Sequence, residues 1–454
     1  MKGVLSLEKI RISSYAIISD NCYLTAGEPH QLVYLTTGPR LFVLRSSLIS
    51  KLTKGDVDAI PDETIRELKK YGIVVCSSVQ NERDATLSRL AIKDAHTRSI
   101  AIMPTGGCNM QCEYCGQEHN SQLMTRDTVD ATITYLKRSL ASGNYNDLFV
   151  RWFGGEPLMA YDRILEISDR VSELCSQLDM PFESEMSSNG TLLTLERLVE
   201  LQNRAHLRQL TITIDGIEDH HNGSRPLKNN GNGYKLIMNL LKSAYDSRDK
   251  LERMRISIRV NVTKLNMKGI PALIDELGAF RQSKLFSLQI IPVYDWGHSN
   301  GHLKLHPDDL DQLIMEWTGR AIGKGIRTEF LPLGKTANTC LSVGMHKDLI
   351  DPYGNIYSCT EYPLVKPYDV EKRLGNVHTY DKVQRPESDF DDFEKLFRRK
   401  QISCKECKYL PVCGGGCPRR QAKGEATCPE FTRTIQQRLN ILAKTVGISQ
   451  QMPN

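Results

Sequence analysis

From residue 98 to about 300 the chain alternates short apolar runs with longer amphipathic stretches. The runs are "SIAIMPT", "LFVRWFGG", "FESEMSSNG", "LRQLTITIDG", "ISIRVNVT" and "SLQIIPVYD", β-rich in composition and short enough to be strands. Stretches such as "TVDATITYLKRSLA", "DRILEISDRVSELCSQL" and "IPALIDELGAF" carry the helical period between them. Six strands joined by crossover helices predict a parallel sheet, since a parallel neighbour is reached only by a long return. A closed barrel of this type takes eight such units. Six therefore predict an open α/β fold, a partial (β/α)6 TIM-like barrel, with chemistry at the C-terminal ends of its strands. Unusual residues gather at those ends: three cysteines follow the first run, "GGEP" ends the second, "SSNG" the third and "DG" the fourth.

The flanks follow different rules. Before residue 95, "YAIIS", "HQLVYLTT" and "RLFVLRSSL" read as short strands, and "PDETIRELKKYG" as a helix opened by Pro61 and Asp62 and closed by Gly72. This predicts a small N-terminal α+β domain over 1–95, tied by the polar helical link "NERDATLSRLAIKDAHT" to a barrel over 96–305. From 306 to 454, after the helix "HPDDLDQLIMEWTGRAIG", long periodic elements give way to a Cys-, Gly- and Pro-rich region. A final helix, "FTRTIQQRLNILAKTV", ends it, with Ile435, Leu439, Leu442 and Val446 as its apolar stripe. There is no internal repeat and no low-complexity segment.

Composition narrows the class. A chain of 454 residues holds two to four domains and ample core, at about 100–200 residues per domain. No apolar run is long enough to span a bilayer and no basic-then-apolar leader opens the chain, so the expectation is a cytoplasmic protein with no membrane partner. The net charge of +5 is spread along the chain rather than gathered in a tract, which argues against a nucleic-acid groove.

Thirteen cysteines are many for a compartment that keeps thiols reduced. Cys22, Cys76 and Cys175 stand alone and are expected to be small buried hydrophobes. The other ten are clustered, and clustered thiolates bind zinc or iron–sulfur clusters. Cys108, Cys112 and Cys115 have no fourth Cys or His at knuckle spacing, although His119 is near in sequence. Three thiolates on a four-iron cluster leave one iron open, and an open position is the mark of a catalytic metal rather than a structural one.

The pattern Cys108-x3-Cys112-x2-Cys115, with Tyr114 before the last cysteine, resembles the signature of the radical S-adenosylmethionine (SAM) enzymes. Further motifs stand in that family's order: Gly154, Gly155 and Glu156 in "WFGGEP", Ser188 and Asn189 in "SSNG", Thr213 in "TIDG", and Arg225 beyond it. The resemblance implies that the GGEP segment grips the cofactor's amino group, that Thr213 contacts the cofactor and that Arg225 binds its carboxylate. Each residue alone has a plainer explanation, as a turn or a solvated loop charge; their order on successive strand ends does not.

A second set, Cys340-x13-Gly354-x4-Cys359 followed by Cys404-x2-Cys407-x5-Cys413-x3-Cys417 and Cys428, resembles the SPASM domain, which holds two auxiliary four-iron clusters. A zinc knuckle pair would use Cys404, Cys407, Cys413 and Cys417 and leave Cys340, Cys359 and Cys428 idle. The resemblance assigns Cys404, Cys407, Cys413 and Cys428 to an outer cluster, and Cys340, Cys359 and Cys417 to an inner one. Some members carry an eighth cysteine before the equivalent of Cys340; "EFLPLGKTANTC" has none, which leaves the inner cluster with an open iron or with another ligand, for which His346 is a candidate.

By the same resemblance the cofactors are three [4Fe–4S] clusters and SAM, a flavodoxin- or ferredoxin-type protein is the reductant, and a 5′-deoxyadenosyl radical abstracts hydrogen from a precursor peptide or protein. Two substrate classes compete. One is a ribosomally made peptide given a thioether, carbon–carbon or other radical modification; the other is a sulfatase whose Cys or Ser is oxidised to formylglycine. Sulfatase maturases place an Asp directly after the cysteine corresponding to Cys359, where this chain has Thr360 and then Glu361. They also start close to the first cysteines, whereas here a domain that resembles leader-peptide recognition elements comes first. Both points favour the peptide. A non-catalytic iron–sulfur electron carrier is the alternative of another class, and the intact "GGEP", "TIDG" and Arg225 argue against it.

Overall fold

The structure, a computed structural model, describes residues 10–94, 96–294, 300–332, 334, 340–382, 384–391, 404–425, 427–445 and 449–450. They form two compact units. The larger draws on segments 95–329 and 341–391, the smaller on segments 1–94, 330–340 and 392–454.

In the larger unit all six expected strands are present: β1 Thr97–Ile102, β2 Asp147–Trp152, β3 Phe182–Ser188, β4 Leu207–Thr213, β5 Arg255–Val262 and β6 Phe286–Pro292. They lie side by side in chain order and every pairing is parallel. The crossovers are helical: α1 Arg126–Ser142, α2 Tyr161–Gln177, α3 Leu195–Arg204, α4 Glu218–Ser224, α5 Gly233–Asp246 and α6 Ile270–Leu277, with α7 Pro307–Gly323 after β6. Thr125, Thr194 and Asn232 cap α1, α3 and α5 by accepting from the backbone N–H three residues on, which sets where each helix starts.

Alternation explains which way the strands face. On β5, Ile256, Ile258, Val260 and Val262 are buried, and the residues between them are half-buried on the opposite face. The buried set joins the apolar stripes of the helices, such as Ile164, Ile167, Val171 and Leu174 of α2, in one core. The half-buried residues, Ser257, Arg259 and Asn261 among them, are thereby left on the opposite face of the sheet.

The sheet extends beyond the six. β7 (Lys347–Ile350) adds in parallel to the free edge of β1, and β8 (Asn355–Tyr357) and β9 (Gly375–Asn376) follow antiparallel, so part of the Cys-rich region belongs to the sheet. This escapes a sequence reading because all four residues of β7 are buried, and a strand covered on both faces shows no alternation. Buried charges lock the junction. Asp348 of β7 pairs with Arg98 of β1 and stands 3.2 Å from Arg385, and the Tyr135 hydroxyl donates to it at 2.6 Å.

In the smaller unit the strands Ala16–Ile18, Tyr23–Thr25, Glu28–Leu35, Arg40–Arg45 and Ser449–Gln450 form an antiparallel sheet. The expected strand "RLFVLRSSL" ends at Arg45. A helix, Ser46–Lys54, begins there because the apolar spacing changes from two to three, and it buries Ile49 and Leu52. The helix Asp62–Tyr71 ends at Gly72 as expected, and Val79–Asp94 matches the polar link. The C-terminal helix Phe431–Thr445 buries Ile435 and Leu439, while Val446 lies outside the described residues. Gln436 and Asn440 of that helix bond to Ile18, Asp20, Asn21 and Tyr23, so the two ends of the chain share this unit.

Of the lone cysteines, Cys175 is buried as expected. Cys22 is half-buried and accepts from the Ser46 hydroxyl, and Cys76 is exposed, because it sits just past a two-residue strand at the unit's surface. No helix among the described residues is long and apolar enough to cross a membrane.

Asp348→Ala is expected to destabilise the larger unit by about 3–5 kcal/mol, since it strands the buried Arg98 charge. Denaturant unfolding of the variant beside the wild type measures this; an unchanged midpoint contradicts the role given to the junction.

Candidate cofactor site at the strand ends

Beyond β1 the chain enters "PTGGCNMQCEYC", which is held from two sides. On one side it pairs with the segment after α4: Gln111 N donates to Pro226 O at 3.0 Å, Glu113 N to Ser224 O at 3.1 Å and Lys228 N to Asn109 O at 2.9 Å. On the other it meets the end of β2, where Glu156 N donates to Gly107 O at 2.7 Å. Glycine is needed here, because a Cβ on Gly155 would stand 2.2 Å from the Gly107 carbonyl oxygen. The GGEP motif is thus backed directly onto the cysteine loop.

The three cysteines lie in a desolvated pocket close enough for their charges to interact, and Arg225 acts on all three. Burial pushes the Cys112 thiol up to about 12, and Cys108 and Cys115 upward too, so they stay protonated at neutral pH unless a metal replaces the proton. Met110 N donates toward Cys108 Sγ at 3.5 Å, and His119 Nε2 stands 3.9 Å from Cys115 Sγ. Among the described residues no three Cys, His, Asp or Glu side chains converge as they would around one bare ion. A four-iron cluster bonds each thiolate to a different iron and needs no such convergence, and this loop fits that demand.

Two fully buried carboxylates organise the surrounding strand ends. Glu156 accepts from Leu158 N at 3.1 Å and the Ser188 hydroxyl at 2.9 Å on one oxygen, and from Asn189 N at 2.6 Å on the other. Burial pushes its pKa up, against these donors and Arg225. Asn189 then reaches the cysteine loop, its Nδ2 donating to Asn109 Oδ1 at 2.7 Å. Asp215, past the end of β4, accepts from the Tyr114 hydroxyl and from Asn261 N at 2.7 Å, and lies 3.6 Å from Arg225. Its own N–H donates to His221 Nδ1 at 3.1 Å, and burial holds His221 down to about 3, so its proton sits on Nε2.

Ten of the residues expected from sequence meet at one place. Cys108, Cys112, Cys115, Tyr114, Gly154, Gly155, Glu156, Ser188, Asn189 and Arg225 share this network or border it. Thr213 ends β4 beside Arg259 of β5.

Residues 102–281 match the model of the radical SAM superfamily. This stretch is a radical SAM domain. The superfamily binds a [4Fe–4S] cluster and SAM. A serine-type anaerobic sulfatase-maturating enzyme of Bacteroides thetaiotaomicron is 22% identical over 376 residues, covering 72% of this chain and 84% of that one. A cysteine-type enzyme of Clostridium perfringens is 26% identical over 379 residues, covering 74% and 93%. Among solved structures, native anSMEcpe with bound AdoMet and Cp18Cys peptide superposes with a TM-score of 0.56 at 20% identity, over 77% of this chain and 99% of that one, which places the fold.

Asp215, His221 and Asn261, which the sequence did not single out, belong to the same buried network. Asp215 stood inside the quoted "TIDG", where an Asp-Gly pair reads as a turn. Asn261 had no local signal, since it belongs to the site only through the pairing of β5 with β4.

The Cys-rich region is divided between the units. In the smaller one, Cys404, Cys407, Cys413 and Cys428 act on one another electrostatically, and burial pushes Cys404 up to about 12 and Cys413 up to about 11. Gly414, Gly415 and Gly416 all take left-handed backbone between Cys413 and Cys417, and a Cβ on Gly416 would stand 2.6 Å from Thr427 O, next to Cys428. Cys417 and Cys340 interact in the same unit, whereas Cys359 and His346 belong to the larger one.

Gly155→Ala is expected to displace the Gly107 carbonyl and with it Cys108, lowering the iron bound at the first three cysteines. Gly223→Ala, whose Cβ meets nothing within 4 Å, is the control. Iron content and the spectrum of the reduced cluster report the outcome, and equal loading in both variants contradicts the cradle.

Proposed function

We propose that this radical SAM enzyme modifies a ribosomally synthesised peptide by hydrogen abstraction. The observation that carries the cofactor reading is the cysteine loop clamped between the GGEP turn and the Arg225 segment. Cys108, Cys112 and Cys115 would hold the SAM-binding cluster, with the GGEP segment at the cofactor's amino group, Thr213 at the cofactor and Arg225 at its carboxylate. With cluster and SAM in place, the chemistry supplied is reductive cleavage of the sulfonium to give methionine and a 5′-deoxyadenosyl radical. The protein's own part is to bind, orient and exclude water around that event.

Orphaned donors support the fit. Among the described residues Arg225 Nε is buried without a hydrogen-bond partner, and so is His221 Nε2; a buried donor left unpaired is costly, and a bound anion or acceptor relieves it. In the smaller unit, Cys404, Cys407, Cys413 and Cys428 would hold an outer auxiliary cluster; the family resemblance alone assigns Cys340, Cys359 and Cys417 to an inner one. A flavodoxin- or ferredoxin-type protein would supply the electrons.

For the substrate, the N-terminal sheet is the favouring feature. Its strand Arg40–Arg45 pairs on one side only, with Glu28–Leu35, among the described residues, and exposes Val43 between Arg40 and Arg45. Such an edge accepts a leader peptide as an added strand. The sulfatase reading keeps equal standing from its relatives, and one feature favours it: Glu361 lies within electrostatic range of Cys115, which suits a displaced proton acceptor.

Anaerobic reconstitution with SAM and a reductant is expected to yield 5′-deoxyadenosine, and Cys112→Ala to abolish it; no product from the wild type rejects the enzyme. Cys404→Ala is expected to lower iron by about one cluster while that product still forms. Co-expression with candidate peptides, followed by mass spectrometry, separates the substrates. Loss of two hydrogens without an aldehyde supports crosslinking or oxidation, whereas a hydrazide-reactive aldehyde on a sulfatase peptide supports formylglycine formation.

A further inference from the structure

Arg225 poses a burial problem. Its guanidinium is always charged and only 6% exposed, so it needs a counter-charge nearby. A bidentate carboxylate from the protein would meet that need but would occupy the N–H groups with which an arginine holds a ligand.

Asp215 satisfies both requirements. Its Oδ2 stands 3.6 Å from Arg225 Nη1, beyond hydrogen-bond reach, and the Tyr114 hydroxyl fills the gap by accepting from Nη1 and donating to Oδ2. Asn261 fixes the same pair from β5, its backbone N–H donating to Asp215 and its Nδ2 to the Tyr114 hydroxyl at 2.9 Å. The charge is balanced, yet the other edge of the guanidinium is unused. Among the described residues Nε has no partner, and Nη2 meets the Met110 thioether at 3.9 Å.

We infer that Asp215 is a positioning residue for the cofactor: it holds Tyr114 beside the third cysteine and keeps Arg225 buried, charged and free along its Nε edge to receive the carboxylate of SAM. This rests on the assignment of Arg225 as the carboxylate anchor. Asp215 acts through Tyr114 and Arg225.

The test uses the full chain, reconstituted anaerobically, as wild type, Asp215→Ala, Asp215→Asn and Tyr114→Phe. Iron and sulfide content are measured first, and SAM is then titrated against the electron paramagnetic resonance signal of the reduced clusters. Asp215→Ala is expected to raise the SAM concentration for half-maximal change at least tenfold, with iron content unchanged. Asp215→Asn, which keeps the volume and an acceptor but not the charge, and Tyr114→Phe, which removes the bridge, are expected to fall between. A SAM midpoint within twofold of wild type in all three variants overturns the inference. So does a loss that follows iron content alone, which would make Asp215 structural. A wild-type signal that ignores SAM removes the cofactor reading and this inference with it, whereas a responsive wild type beside unaffected variants removes only the inference.

Discussion

A carboxylate moved out of water must be met by donors, and the ends of parallel strands are where unpaired backbone N–H groups are available. Glu156 and Asp215, neither exposed to solvent, use that supply to join segments far apart in sequence. Glu156 gathers the ends of β2 and β3, and Asp215 gathers β4, β5 and the loop after β1. Each is bonded in turn to groups on the cysteine loop. The cysteine loop itself is held by backbone hydrogen bonds to the GGEP turn on one side and to the segment that carries Arg225 on the other.

This explains why the loop tolerates so little. Its backbone lies against Gly155 with no room for a methyl group, and its other side is paired with the segment that carries Arg225. Under the proposed assignment a cluster held there would lie between the GGEP turn and the buried Arg225 guanidinium. Desolvation raises all three thiols, so their deprotonation is favoured by metal binding. In the smaller unit a second group of thiols is organised differently, by three consecutive glycines in left-handed backbone rather than by buried acids.

Much of this was legible beforehand. The six strands could be read because each is a short β-rich apolar run between helical periods, and the cysteines because their spacing is local. "GGEP", "SSNG" and "TIDG" marked three strand ends for the same reason. What could not be read was anything created by pairing between distant segments. β7 hides because a strand buried on both faces has no period, the helix Ser46–Lys54 because its first residues continue a strand-like run, and Asn261 because only the register of β5 against β4 brings it to Tyr114.

The sequence by itself determined the kind of chemistry: ligand type, ligand count and the order of the motifs are properties of local spacing, and spacing survives in one dimension. Only the tertiary structure decided how the charges are balanced. Whether Asp215 is a turn residue or the counter-charge of Arg225 depends on a separation of 3.6 Å between groups ten residues apart, bridged by a hydroxyl from another strand end. Coulomb energy and hydrogen bonding depend on such distances in space, and these are fixed when the sheet closes its register.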